Sequence, residues 1–220
     1  MMSSEVQRSE TLDLSAVDHL VVTCSDLEAG IDDVEGRTGV RPAMGGCHPD
    51  WGSHNALLSL GDSTYLEVIS PDPESPLPLE SRPAVFTRPG PGLVNGWVAK
   101  CDDIERAIAM SHELGHPLGP ALHGRRERTD GTPLSWTLTD PSIRRFDGLL
   151  PILIDWGSSP HPASSAPTGC KLVGLALRHP EAEALSSLLQ RLGLPMLVEP
   201  GETPMITATI ETPAGTILIS

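Results

Sequence analysis

GSHNALLSLGDSTYLEVISP, residues 52–71, sets two short apolar runs on either side of a Gly-Asp-Ser-Thr turn. That pattern predicts an antiparallel hairpin with strands over 54–60 and 64–70. Side chains alternate in direction along a strand, so Tyr65, Glu67 and Ile69 share one face. A tight turn over 61–64 sets Leu60 opposite Tyr65 and Leu58 opposite Glu67, which brings His54 to that same face. Glu67 is then a carboxylate pointing where a strand is normally apolar. Burying it demands a metal, a cation or hydrogen-bond donors. Arg145 or another arginine would satisfy it without catalysis.

Working outward, the hairpin closes a β-α-β-β-β unit. Its first strand is VDHLVV, 17–22, and its helix covers about 26–37, with Asp26 as the cap and Gly39 just past the end. A short extended piece over 40–44 precedes the hairpin. The pattern returns from GLVNGWVAK onward, with a helix over about 103–114 and strands near 118–123, 134–139 and 149–156. A third and tighter pass has a strand over 171–177, a helix over about 181–192 and strands near 196–199, 205–210 and 216–219. Residues 1–15 read as a flexible tail. The proline- and glycine-rich stretch PDPESPLPLESRPAVFTRPGPG reads as an ordered loop or connector, because such a composition does not make a central strand.

Composition narrows the function. Fifteen basic against 29 acidic side chains give a formal net charge of -14, which repels phosphate and argues against nucleic-acid or anionic-membrane partners. No apolar run approaches the ~18 residues of a membrane helix and no secretory leader is visible, so a cytoplasmic location is expected. The cysteines Cys24, Cys47, Cys101 and Cys170 form no CxxC, and Cys24 and Cys101 read as buried free thiols. No glycine-rich dinucleotide or phosphate loop is present, so no nucleotide cofactor is expected. The cluster HGRRER, 123–128, reads as a solvated hairpin tip, with a small anion-binding loop as the alternative.

DHLVV with its following helix, then HPDWGSHNALLSLG, YLEVISPDP and LLPILIDWGSSPHP, resembles the glyoxalase-like proteins of the vicinal oxygen chelate superfamily. The resemblance covers about 17–162. It implies an α+β fold of tandem βαβββ modules forming cupped mixed sheets with helices outside. The paired glyoxalase-like domain is then 16–160, with modules about 16–72 and 92–158, and a third, smaller βαβββ-like module occupies 169–220. In such proteins the first and last strands of a module are neighbours, and each gives a ligand to a divalent metal in the cup. Carried over, those positions are His19 and Glu67. The second module has Gly96 at its first-strand position and Leu153, Ile154 and Asp155 on its last strand; the third has Gly174 and Ile219.

With His54 added, two imidazoles and a carboxylate form a facial triad suited to Fe, Mn, Zn or Ni. The function expected is a small-molecule enzyme using metal-assisted lyase, isomerase or dioxygenase chemistry on a carbonyl or diol substrate. Glu67 is its catalytic residue. The alternative is a metal-free binding or sequestration protein with the same cup. Trp51, Asn55, Tyr65, Asp155 and Trp156 are the pocket candidates, Trp97 reads as core, and His48 and His161 as rim residues. Alone, His19 beside Asp18 also fits a satisfied strand residue, and His54 a hydrogen-bond donor to the ligand. An odd module count leaves one sheet unpaired, so a homodimer is expected.

Overall fold

Local signals place the helices. The computed structural model describes residues 14–83, 94–127 and 131–220. In α1 (Leu27–Thr38) the Asp26 carboxylate accepts from the Ala29 amide at 2.8 Å, and Gly39 ends the helix in the left-handed region at φ 72°. In α2 (Ile104–Glu113) Asp103 accepts from the Arg106 amide at 3.0 Å. The third helix, α3 (Ala182–Arg191), buries Leu185, Leu188 and Leu189 along one stripe. Residues 1–13, most of the expected tail, 84–93, which include the end of the expected connector, and 128–130, which include the last residue of HGRRER, lie outside the described residues. Among the described residues no helix is long and apolar enough to cross a membrane.

The first two passes of the pattern make one eight-stranded mixed sheet. Its strands are β1 (Val17–Thr23), β2 (Ala43–His48), β3 (Ser53–Gly61), β4 (Thr64–Pro71), β5 (Gly96–Lys100), β6 (Ala121–Glu127), β7 (Pro133–Thr139) and β8 (Ile152–Asp155). The order β2-β3-β4-β1-β5-β8-β7-β6 places two four-stranded halves back to back. Within each half the first and last strands run parallel as neighbours, β1 beside β4 and β5 beside β8. The halves join where β1 runs antiparallel to β5. The outer strands β2 and β6 approach each other, so the sheet curls into a nearly closed cup with helices outside.

The two faces of the sheet are packed differently. Leu58, Leu60, Leu66 and Val68 join Ile31 and Val34 of α1 in the large core behind the cup. Val21, Val98, Leu138 and Ile154 form a smaller apolar cluster on the concave side. Between β3 and β4 the pairing is Leu57 with Glu67 and Ser59 with Tyr65, and the register shifts between Ser59 and Gly61. An extra residue in the β3 end of the hairpin therefore slips the register by one from the expected pairing. A one-residue slip turns a strand over. Asn55 and Leu57 share the Glu67 face, while His54 pairs with Ser70 on the other face.

The third unit keeps the element order but not the strand order. Its sheet runs β10 (Val198–Pro200), β9 (Lys171–His179), β11 (Met205–Thr212), β12 (Gly215–Ile219). Here β9 pairs parallel with β10 through α3 and antiparallel with β11, so the first and last strands are not neighbours. It packs into the same core as the first unit, through Leu172, Leu175, Leu177 and the α3 leucines. A second backbone tie is Ser59 N–H to the Pro167 carbonyl at 2.9 Å. The cysteines are free, with Cys24 and Cys101 half-buried.

Gly30 measures how closely α1 sits on the back of β4. A Cβ there would lie 2.5 Å from Cys24 Sγ and 2.8 Å from Val68 Cγ1. Overpacking of this kind costs about 1–3 kcal/mol, against a helix-propensity gain of about 1 kcal/mol. Gly30→Ala should therefore lower stability by about 1 kcal/mol in urea denaturation, although alanine is the better helix former.

Candidate active site

Glu67 sits 6% exposed on the concave face of β4, one strand from His19 on β1. Its two oxygens have different partners. Oε1 accepts from Asn55 Nδ2 at 2.5 Å, and Oε2 faces His19 Nε2 at 3.6 Å. His19 in turn stacks on Tyr65, ring centroids 4.4 Å apart and planes within 19°. Burial raises the Tyr65 phenol well above its ordinary range, reinforced by the charges of Asp18 and Glu67.

Behind His19 lies Asp18, fully buried. Adjacent residues of a regular strand point to opposite faces, yet β1 shifts register against β5 between Val17 and His19. The irregularity lets both side chains meet: Asp18 Oδ1 lies 2.7 Å from His19 Nδ1. The other oxygen, Oδ2, accepts from Trp156 Nε1 at 3.1 Å and lies 3.2 Å from His161 Nε2. Burial alone would raise the Asp18 carboxyl. Hydrogen bonds from His161 and His19 reverse that and hold it well below the usual carboxylate range. Asp18 is thus an anion that accepts a hydrogen bond from His19 Nδ1–H. The Nε2 atom then presents to Glu67 either a lone pair or, in the imidazolium, a second N–H.

The line continues on the other side of Glu67. Asn55 Nδ2 lies 3.5 Å from His48 Nε2, and His48 Nδ1 lies 3.0 Å from Ser53 Oγ. Asn55 Oδ1 is buried with no hydrogen-bond partner, packed over Gly45, where a side chain would collide with it. The His48 imidazole is pushed down to about 4 by burial, with Glu67 opposing and Arg126 adding to the effect. Arg126, 7% exposed, lines the same cup and donates from Nη1 to the Gly45 carbonyl across the gap between β6 and β2.

The other half of the cup is apolar. Val98, Ile152 and Ile154 stand where the second module would offer ligands, and Trp136 and Trp156 pack beside them, tilted by 52° with ring centroids 5.2 Å apart. Trp51 completes the aromatic wall, 6.0 Å from Trp136, which lies flat over Gly124. The free space at the floor is about 40 Å³, room for roughly three waters or a small polar group.

Of the residues singled out from the sequence, His19, Glu67, Trp51, Asn55, Tyr65 and Trp156 line this cup. His54 does not, because the slip in β3 turns it to the opposite face. Asp155 does not either. It alternates with the inward Ile154 and Trp156, and its Oδ1 accepts from the Gly157 amide at 2.7 Å. Trp97 is core, 1% exposed, its Nε1 donating to the Leu149 carbonyl. Arg145 does not meet Glu67; its Nε reaches the Pro117 carbonyl at 3.5 Å. Two participants escaped the sequence reading: Asp18 is hidden by the β1 irregularity, and Arg126 sits in a charged run that looks solvated. His48, expected at the rim, is buried in the cup wall, and His161 reaches Asp18 from the connector.

His19 and Glu67 are the pair spaced to share a cation. Among the described residues no third His, Cys, Asp or Glu is placed to complete a site. Catalytic metals are usually held by three protein ligands. Here apolar side chains occupy the second half, and Arg126 already brings a positive charge. The residues present do not fit the metal centre that the superfamily implies.

Two of these groups make stability pH-dependent in the same direction. Between pH 6.5 and about 4 the unfolded His48 binds a proton that the folded one refuses, so stability falls as pH drops through that window. Below pH 4 the unfolded Asp18 is protonated while the folded carboxylate stays ionised, so the fall continues. Urea denaturation across pH 7 to 4 should show a loss of about 3 kcal/mol attributable to His48. The His48→Gln variant should flatten that window.

Residues 17–193 match the family described as Glyoxalase-like domain. No curated protein sequence matches the chain. Among solved structures, a hypothetical protein from Staphylococcus aureus is 13% identical with a TM-score of 0.59, covering 92% of this chain and 83% of its own. A Streptomyces coelicolor methylmalonyl-CoA epimerase in complex with 2-nitronate-propionyl-CoA is 18% identical, covers 66% and 96%, and has a TM-score of 0.43. The Mycobacterium tuberculosis methylmalonyl-CoA epimerase is 17% identical, covers 70% and 94%, and has a TM-score of 0.40. The first is a likeness of fold alone, and the epimerases overlap too loosely to bear on chemistry. With the family match spanning most of the chain and the paired βαβββ halves closing one cup, the chain belongs to the glyoxalase-like domain family of the vicinal oxygen chelate superfamily.

Proposed function

We propose that this chain is a small-molecule enzyme that moves a proton on a carbonyl-type substrate, in the manner of an isomerase or lyase, without a resident metal. The observation that carries this reading is the line Asp18–His19–Glu67, with its 2.7 Å and 3.6 Å separations. A buried anion orients the imidazole, and the imidazole faces a carboxylate whose other oxygen is held by Asn55. The gap of 3.6 Å is too long for a direct hydrogen bond, and a substrate O–H or a shared proton would close it. Glu67 is the group to accept a proton from carbon, and His19 the group to carry it to or from a substrate oxygen. Arg126 supplies the fixed positive charge that stabilises a developing enolate, the task a metal performs elsewhere in the superfamily. The apolar half of the cup excludes water and strengthens each of these interactions.

A second reading, a binding or sequestration protein, is supported by the wall of Trp51, Trp136 and Trp156, which suits a flat or cationic ligand. One experiment separates the readings. The purified chain is incubated in deuterium oxide with a panel of 2-oxo acids, 2-hydroxy aldehydes and dicarboxylic semialdehydes, and carbon-bound deuterium is followed by NMR. Exchange that survives chelation and drops about 100-fold or more in Glu67→Gln supports the enzyme. Exchange that appears only with added Fe, Mn, Zn or Ni restores the metal-assisted alternative. Ligand-induced stabilisation with no exchange or turnover across the panel favours the binding protein.

A further inference from the structure

Away from the cup, a cavity of about 680 Å³ lies where the second half of the large sheet meets the third unit. Its walls are mainly apolar: Val94 and Leu149 on one side, Pro204, Met205 and Ile206 on the other. Arg144 is the cation among its described lining residues. Its Nη2 donates to the Asn95 carbonyl at 3.3 Å and the Asp147 carbonyl at 3.0 Å, and among the described residues it forms no ion pair. The nearby Asp147 carboxylate is already engaged. His179, 2% exposed, accepts the Glu181 amide on Nδ1 at 2.9 Å, so its proton sits on Nε2, 3.2 Å from Asp147 Oδ2.

The backbone here holds the guanidinium in place. Phe146 and Asp147 both adopt positive φ, 49° and 55°, which residues with side chains rarely do. The turn they make aims the Asp147 carbonyl at Arg144. Gly148, at φ 93°, leaves the room beside that guanidinium which a side chain would fill. Strained backbone of this kind persists where a side chain must be pre-positioned. Partial desolvation draws the Arg144 guanidinium below its ordinary range, opposed by the charge of Asp147. Arg144 is exposed and lines the cavity, so an anion entering beside the apolar walls meets a cation already held in position by backbone carbonyls.

We infer that this junction cavity is a second ligand site, for a monocarboxylate with an apolar body, its carboxylate on Arg144 and its body between Leu149 and Met205. A narrower groove past Gly96 and Ile143 runs from Arg144 to Val21 and Ile152, which also line the cup. The site stands whether or not the cup is an enzyme.

Titration calorimetry on the full chain tests this with octanoate, octylamine and acetate. Octanoate should bind, while acetate and octylamine should not. Arg144→Gln should weaken octanoate about tenfold or more, and Arg144→Lys should largely retain it. Met205→Glu, at a residue 37% exposed where a charge is solvated, should weaken it as well by placing an anion beside the ligand. No octanoate binding, equal binding of octylamine, or octanoate binding unchanged in both Arg144→Gln and Met205→Glu would overturn the proposal.

Discussion

The buried carboxylate of Asp18 is the constraint around which this cup is arranged. An unpaired anion at that depth would cost several kcal/mol, and the structure answers with donors from three parts of the chain. His19 comes from the same strand, Trp156 from just past the end of β8, and His161 from the connector to the third unit. Each bond to a charged acceptor is worth roughly 1.5–3 kcal/mol, so the anion serves as a tie as well as a site residue. Because its oxygens are taken in this way, the imidazole of His19 has one orientation open to it, and the geometry at Glu67 follows.

The two halves share a fold but divide the chemistry. The first half supplies His19, His48, Asn55, Tyr65 and Glu67, with Val21 and Trp51 beside them, and the second gives valine, isoleucine, leucine and tryptophan, with Arg126 as its polar contribution. Duplicated modules thus produce a cup with a polar wall facing an apolar one. A ligand bound across it meets hydrogen-bonding groups on one side and dispersion contacts on the other, which fixes its orientation better than either wall alone. Glycines make this close packing feasible at two places, Gly45 under Asn55 and Gly124 under Trp136.

Much of the architecture was legible because it rests on local chemistry. Asp26, Asp103 and Gly39 mark helix ends in any context, and alternation in residues 64–70 correctly gave Glu67 and Tyr65 a common face. What escaped depends on single-residue irregularities in strand pairing. The slip between Ser59 and Gly61 turned His54 outward and brought Asn55 in, and the shift beside His19 placed Asp18 in the site. Neither leaves a mark in a pattern of apolar and polar residues. Arg126 was hidden differently, since a buried arginine next to the exposed Arg125 looks in HGRRER like the rest of the run. The third unit misled through its element order, because the same succession of strand and helix supports two strand orders, and only long-range pairing chooses between them.

His161 belongs to the segment that leads from the cup to the third unit, and it closes on Asp18 from there. The connector is thus a tether across the rim as well as a link, tied to β3 through Pro167 and to the buried anion through His161. A change in the length of that connector would therefore move one of the donors on which the orientation of His19 depends.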